Sequence, residues 1–297
     1  MRIVTRPDFD GVVCAVLLQA AEPIDAPTCW IEPSAIQNGT APIRCGDILA
    51  NLPYDPRCSI WFDHHVSNRV QAPFSGAWRV APSAAGVIHD YYRERFTTDF
   101  SALVRQADKI DAADLTREEV LAPERHPFLL LSMTITGRRS DAAYWDRLVT
   151  LLERRPARAP TDDPQVADRC RQAVEDNAAY RRFLLDHTEL RGHVAVTDLR
   201  PYEDVPEGNR FLCYALFPQC IVQVRIRRDA VDRQRVSLSV GHSIFNRGCR
   251  VNVGLMLASF GGGGHRGAGG CSLAAGEADG QIERILAILM ENKSNEP

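Results

Sequence analysis

The sequence predicts two α/β domains joined by a charged helix. Three observations carry this. Short apolar runs alternate with helical periodicity from Met1 to Arg154. A proline- and charge-rich break, RRPARAPTDDP, then interrupts the pattern at Arg154–Pro164. Strand-like runs return after Arg191-Gly192. Strands that alternate with helices argue for a parallel sheet flanked by helices. The chain has 297 residues, above the usual single-domain size of roughly 100–200 residues.

Met1–Thr5 is a short apolar strand, and Gly11–Ala21 is apolar and long enough for a buried helix. Thr28–Ile31 reads as a second strand and Ile43–Cys45 as another short one. Cys58–Phe62 is an apolar run of strand length, closed by Asp63-His64-His65. Helical periodicity covers Ala84–Phe96, Phe100–Asp111, Phe128–Thr136 and Asp141–Arg154. The stretch from Gln165 to about Asp186 is helical and strongly charged, as a connecting helix would be. His193–Leu199, Cys220–Arg227 and Arg235–Ser243 are strand-like. Helical stretches at Arg210–Leu216 and Arg250–Ser259 lie between or after them, and a last helix spans Ala278–Asn292. The expected boundaries are 1–160 for the first domain, 161–189 for a helical linker and 190–297 for a smaller mixed α/β domain.

Composition narrows the function classes. Hydrophobic content of 45% and charged content of 25% are ordinary for a globular protein. A net charge of −3 does not ask for nucleic acid or an anionic membrane as partner, although a local basic patch stays open. No apolar run approaches the roughly 20 residues that span a bilayer. Charge and proline arrive by Arg6-Pro7-Asp8, so the N-terminus has no secretory pattern. The 9 cysteines are odd in number and lack a C-x-x-C pair, which supports neither a disulfide framework nor a zinc ribbon. They read as buried free thiols in a reducing cytoplasm.

The chemistry-bearing residues gather where apolar runs end. Thr5–Gly11, TRPDFDG, places Asp8 and Asp10 just past a strand and just before an apolar helix. In parallel α/β sheets, ligands bind beyond the carboxyl ends of strands. Two carboxylates there repel each other unless something positive lies between them, and a divalent cation is the usual answer. The other account is a solvated turn with a helix-capping aspartate. Asp63-His64-His65 ends an apolar strand in the same way. Carboxylate plus imidazole suits Mn, Fe, Co or Zn rather than Ca, the alternative being a satisfied polar strand end. Two acidic strand ends in one α/β domain favour the metal. Asp47 follows Ile43–Cys45, and Asp108, Asp111 and Asp114 recur at i+3 in a helical stretch. That spacing also fits a plain charged helix surface. A shared carboxylate can bridge two metals about 3.5–4 Å apart.

The second domain carries SFGGGGHRGAGG, Ser259–Gly270. Gly262–Gly267 matches G-x-G-x-x-G, but a helical stretch precedes it and strand-like Ala268–Leu273 follows. The dinucleotide-binding reading needs the reverse order. What remains is backbone that can approach a ligand closely and offer N–H groups to an anion. Four glycines followed by His265-Arg266 are read as a ligand loop rather than a packing turn, and arginine suits bidentate phosphate contact. Ser243-Ile244-Phe245-Asn246-Arg247 adds a polar, cationic cluster upstream.

Together these features resemble the DHH/DHHA1 phosphoesterase family over nearly the whole chain. Its name-giving triplet is seen as Asp63-His64-His65. In the branch written T-H-x-D-x-D-G, the first motif matches Thr5 to Gly11, with Asp8 and Asp10 at its aspartates. The acid ahead of the triplet best matches Asp47, and the acid after it best matches Asp108, with Asp111 as the rival. The G-G-G-H signature matches Gly262-Gly263-Gly264-His265. The resemblance implies a parallel-sheet DHH domain, a linker and a DHHA1 domain with a cleft between the domains. It implies one or two manganese-type ions (Mn2+, Mg2+ or Co2+). Asp8 would serve the first ion and Asp10 and His64 the second, with Asp47, Asp63 and Asp108 completing the set. His65 would face the scissile phosphate. Asn246, Arg247, Gly262, Gly263, Gly264, His265 and Arg266 would hold substrate.

The chain departs from the pattern at Arg6, which stands where the family has a ligand histidine. Arginine stays protonated and cannot ligate a cation. The expectation is one ion on the Asp10/His64 side, with Arg6 paired to Asp8 or contacting phosphate as a catalytic group. The leading function is a cytoplasmic metal-dependent phosphohydrolase. It would act on a small phosphate-containing substrate or a short single-stranded nucleic acid, with no membrane partner, and is compatible with a homodimer. The alternative is a phosphate-binding or regulatory protein whose catalysis Arg6 weakens. A third reading is a partner-dependent subunit.

Overall fold

The computed structural model describes residues 1–135, 141–229 and 232–296. In chain order the first elements are β1 (Arg2–Thr5), α1 (Phe9–Ala21), β2 (Cys29–Trp30), α2 (Pro33–Gln37), β3 (Asp47–Ala50), β4 (Ile60–Asp63), β5 (Gly76–Trp78), α3 (Ala84–Tyr91) and α4 (Ser101–Asp111). Next come α5 (Arg117–Leu121), α6 (Pro127–Met133), α7 (Ala142–Arg154), α8 (Pro164–His187), β6 (Thr188–Arg191), β7 (Val194–Asp198) and α9 (Leu212–Leu216). The chain closes with β8 (Val222–Arg228), β9 (Arg235–His242), α10 (Val253–Ala258), β10 (Gly263–His265), β11 (Ala268–Ala274) and α11 (Ala278–Glu291). Two compact units result: Met1–Leu115 with Pro123–Gln172, and Thr116–Ala122 with Ala173–Pro297. Thr136, the expected end of the helix begun at Phe128, lies outside the described residues.

The first unit holds a five-stranded sheet in the order β2-β1-β3-β4-β5, with every pair parallel. Thr5 aligns with Ala50, Ala50 with Phe62, and Asp63 with Trp78. The residues just beyond these strands therefore share one edge of the sheet. Helix α1 explains why its sequence shows no polar face: Phe9 through Leu18 are all buried, and the helix packs on α3, α4 and α7. A helix that is apolar all round belongs inside a core. Each fully buried leucine in it, such as Leu17 or Leu18, stabilises the fold by about 1.5–3 kcal/mol over exposure.

The expected strand at Ile43–Cys45 does not form. Gly46 has φ +91 there, and the Asp47 carboxylate accepts the Arg44 backbone N–H at 2.9 Å. This makes a turn, and the strand begins at Asp47. Strand β5 went unseen because it is three residues long and opens on Gly76. A Cβ at Gly76 would lie 2.0 Å from the Trp61 carbonyl oxygen, so only glycine fits. The Ala84 helix stops at Tyr91 and gives way to a short 3-10 turn at Arg93–Arg95.

The second unit is built on a six-stranded sheet in the order β10-β11-β9-β8-β7-β6. Only β7–β8 is parallel; the other pairs are antiparallel. Alternation in β9 turns Val236, Leu238 and Val240 inward, where Ile282, Ile285, Leu286 and Leu289 of α11 join the same core. All nine cysteines are free. Among the described residues no helix is long and apolar enough to cross a membrane.

Candidate active site

The carboxyl edge of the first sheet gathers Asp8, Asp10, His64, His65 and the end of α4. Asp8 is the N-cap of α1, accepting the Gly11 N–H at 2.8 Å. The turn is tight: a Cβ at Gly11 would come within 1.9 Å of the Arg6 carbonyl oxygen. This turn directs Asp10 inward, where it is 2% exposed. Its two oxygens accept the N–H groups of Ala84 and Ala85 at 2.9 Å each, in the first turn of α3. Burial first, then the charges of Asp111 and Asp8, push the Asp10 carboxyl well up. Burial also pushes Asp8 up, to about 6, against the pull of Arg6. The centre therefore concentrates negative charge that the chain only partly balances.

His64 follows β4 and is held through its ring. Its Nδ1 lies 2.9 Å from the Ala81 carbonyl oxygen. A carbonyl only accepts, so Nδ1 donates to it and Nε2 is the nitrogen left to serve as a ligand. Nε2 is buried without a hydrogen-bond partner among the described residues. It stands 3.3 Å from an Asp111 oxygen and 3.9 Å from an Asp10 oxygen. Ligand atoms of Asp10, His64 and Asp111 all lie within 4.8 Å of one another. A buried imidazole nitrogen between two carboxylates fits a divalent transition-metal ion, with the Ala81 carbonyl orienting the ligand from behind.

The residues expected to join this centre divide. Asp10 and His64 are brought together, and the partner acid is Asp111 rather than Asp108. Asp108 instead accepts the Ser83 hydroxyl at 2.6 Å, while Ser83 caps α3 through the Gly86 N–H. Asp47 is corrected outright. It opens β3, at the opposite edge of the sheet, and binds Arg2 through Nε and a terminal nitrogen at 2.9 and 2.6 Å. Asp63, expected as a ligand, has both oxygens engaged. One faces His65 Nδ1 at 2.8 Å and the other accepts Asn68 Nδ2 at 2.6 Å. Asp63, His64 and His65 do offer three atoms close enough for an ion, but their carboxylate is already committed to hydrogen bonds. The Asp63 hydrogen bond raises the His65 pKa and leaves its Nε2 as the outward donor.

Two residues escaped the sequence reading. Asn51, buried and in the left-handed region at φ +57, follows β3 directly and donates to Asp8 at 3.0 Å. Its signal was the apolar triplet Ile48-Leu49-Ala50, hidden by the misplaced strand. Asn68, which orients Asp63, carried no signal. Arg6 lies 3.3 Å from Asp8 and 3.4 Å from Glu32, as one of its two expected pairings requires.

In the second unit, packing accounts for much of the glycine run, contrary to expectation. A Cβ at Gly262 would meet the Gly270 carbonyl oxygen at 2.3 Å, and one at Gly264, φ +147, would meet that of Ala268 at 2.3 Å. These glycines let β10 fold onto β11. Gly263 alone of the three has open space around it. Arg266 is paired with Glu296. Arg247 and His265 are exposed. The Asn246 side chain donates to the Pro218 carbonyl oxygen at 3.4 Å.

No protein-family model matches the sequence, nor does any curated protein. Among solved structures, the chain is similar to the pGpG-specific phosphodiesterase PggH of Vibrio cholerae. The identity is 30% over 98% of this chain and 99% of that one, with a TM-score of 0.79. It is also similar to exonuclease RecJ bound to manganese, at 14% identity over 100% of this chain and 91% of that one, with a TM-score of 0.53. RecJ of Thermus thermophilus in complex with Mn2+ matches at 14% identity over 99% of this chain and 52% of that one, with a TM-score of 0.55. The two RecJ likenesses speak to the fold. End-to-end likeness to a phosphodiesterase joins the Asp-His-His edge and the Gly-Gly-Gly-His hairpin in one conclusion: the chain belongs to the DHH/DHHA1 phosphoesterase family.

Proposed function

We propose that this phosphoesterase hydrolyses a short linear dinucleotide, pGpG first among the candidates, at the Asp10–His64–Asp111 centre. His64 Nε2 carries the reading: it is a buried ring nitrogen with no hydrogen-bond partner among the described residues, between two carboxylates. The substrate follows from the full-length likeness to a pGpG-specific enzyme. Water adds across the phosphodiester, and two mononucleotides leave. Manganese is the proposed ion, with Mg2+ or Co2+ as substitutes. When bound, such an ion lowers the pKa of a water and neutralises phosphoryl oxygens.

The chain's own residues do the rest by position. The α3 N–H groups fix both oxygens of Asp10, and Ala81 fixes the ring of His64. Asp63 and Asn68 hold His65 so that its outer nitrogen donates toward a phosphoryl oxygen. From residues 190–297, the proposed substrate-binding region, the exposed Arg247 and His265 are the proposed phosphate contacts, with the open backbone at Gly263. The proposed location is the cytoplasm, in keeping with nine free cysteines.

The test is product release from pGpG, a short single-stranded oligonucleotide and polyphosphate, each with Mn2+, Mg2+ and Co2+. The expected result is Mn2+-dependent cleavage of pGpG that disappears in His64→Ala. Tight pGpG binding with no turnover under any metal would instead establish a binding or regulatory protein.

A further inference from the structure

The centre has two acidic poles, and the chain treats them differently. Asp10 and Asp111 face a buried imidazole nitrogen that has no hydrogen-bond partner among the described residues. Asp8 is surrounded by donors: the Gly11 N–H at 2.8 Å, the Asn51 amide at 3.0 Å and Arg6 Nε at 3.3 Å. The Asn51 assignment is fixed by its partner, since a carboxylate accepts and the NH2 group must donate. The opposite atom, Asn51 Oδ1, is buried and has no partner among the described residues. The donor side of the amide, not that oxygen, faces Asp8, so Asn51 meets the carboxylate as a neutral donor.

We infer that the centre holds a single ion, at Asp10, His64 and Asp111, and that Arg6 with the Asn51 amide occupies the place of a second. Arg6 is then a covalently fixed positive charge at the Asp8 pole. A guanidinium repels a second dication and cannot ligate it. Asn51 places a neutral amide at the same pole and uses its donor on Asp8. Neutralisation of Asp8 therefore comes from the sequence, while neutralisation of Asp10 and Asp111 comes from solution. Arg6 is a positioning residue for Asp8.

The inference rests on the Asp10–His64–Asp111 reading above, and the two fail separately. That reading fails if His64→Ala still binds Mn2+ as the wild type does. The inference is tested by counting Mn2+ per chain with native mass spectrometry, and by electron paramagnetic resonance. The wild type is expected to bind one tight Mn2+ with the spectrum of an isolated ion. The double variant Arg6→His/Asn51→Asp is expected to bind two, with a spin-coupled spectrum and second-site affinity higher by about tenfold or more. Two tight ions in the wild type, a coupled wild-type spectrum, or a double variant that still binds one ion would each overturn it. Should the double variant fail to fold, Arg6→His alone, which removes the repelling charge and supplies a ligand nitrogen, is expected to strengthen second-site binding by the same criterion. No strengthening there also overturns the inference.

Discussion

Asp47 and Asp10 are buried aspartates of the same sheet, one at each edge, and they have opposite fates. Asp47 is fully buried and meets its counter-charge within the chain, in a two-point contact with Arg2. Asp10 is nearly as buried, yet the charges that act on it most are those of Asp111 and Asp8. A buried carboxylate with a guanidinium is a structural clamp. A buried carboxylate among like charges, with an idle imidazole, is a place for an ion from outside. Burial and residue type do not distinguish the two; the identity of the neighbours does.

The largest expected effect tests the open pole. Asp10→Asn should lower turnover of the proposed substrate, pGpG, by roughly 10³-fold, the several kcal/mol of charge stabilisation that an ion supplies. A steady-state assay with saturating Mn2+ checks this, and an activity within about tenfold of wild type would break the contrast. At the closed pole, Arg2→Met should leave Mn2+ binding unchanged and cost about 3 kcal/mol of stability, as loss of one partner from a buried pair does. Urea unfolding of the metal-free protein reads it. A changed ion count with unchanged stability would reverse the roles of the two edges.

Metal removal gives the next effect. Mn2+ at about 100 times its Kd should stabilise the wild type by about 2.7 kcal/mol. A thermal shift of that size, absent in His64→Ala and retained in Asp47→Asn, would sharpen the assignment. The smallest effect concerns orientation. Asn68→Ala should cost about 10–100-fold in kcat with Mn2+ affinity kept, because it frees one oxygen of Asp63 behind His65. A drop in Mn2+ affinity equal to the drop in kcat would instead make Asp63 a ligand.

Much of this was legible in the sequence, for identifiable reasons. The first strand, helix α1 and the connecting helix α8 were readable because their apolar or charged periods run unbroken. That Asp10 and His64 meet at one edge of the sheet was readable because each ends such a run. Asp47 was misassigned through one local error: moving a strand from Ile43–Cys45 to Asp47–Ala50 carries that carboxylate from one edge of the sheet to the other. The same slip hid Asn51. Asp111 against Asp108 was undecided by i+3 spacing, since helical spacing aligns both. A physical cue existed, because Asp111 closes helix α4, where the dipole disfavours an acid. The glycine hairpin misled for another reason: consecutive glycines are required equally by ligand approach and by backbone packing, and only the contacts at Gly262 and Gly264 separate these.

The Arg6–Asp8–Asn51 cluster also has a consequence for descent. Arginine to histidine and asparagine to aspartate are each one nucleotide apart in the genetic code, so the centre as it stands and the double variant Arg6→His/Asn51→Asp are near neighbours in sequence. They are not near neighbours in charge balance. Exchanging Asn51 alone for aspartate sets a second carboxylate beside Asp8 with Arg6 as the nearby cation, and exchanging Arg6 alone for histidine withdraws the charge that Asp8 leans on. Each half-step is mismatched. A lineage with this pair is therefore held in place by epistasis, and relatives should carry the two substitutions together or neither.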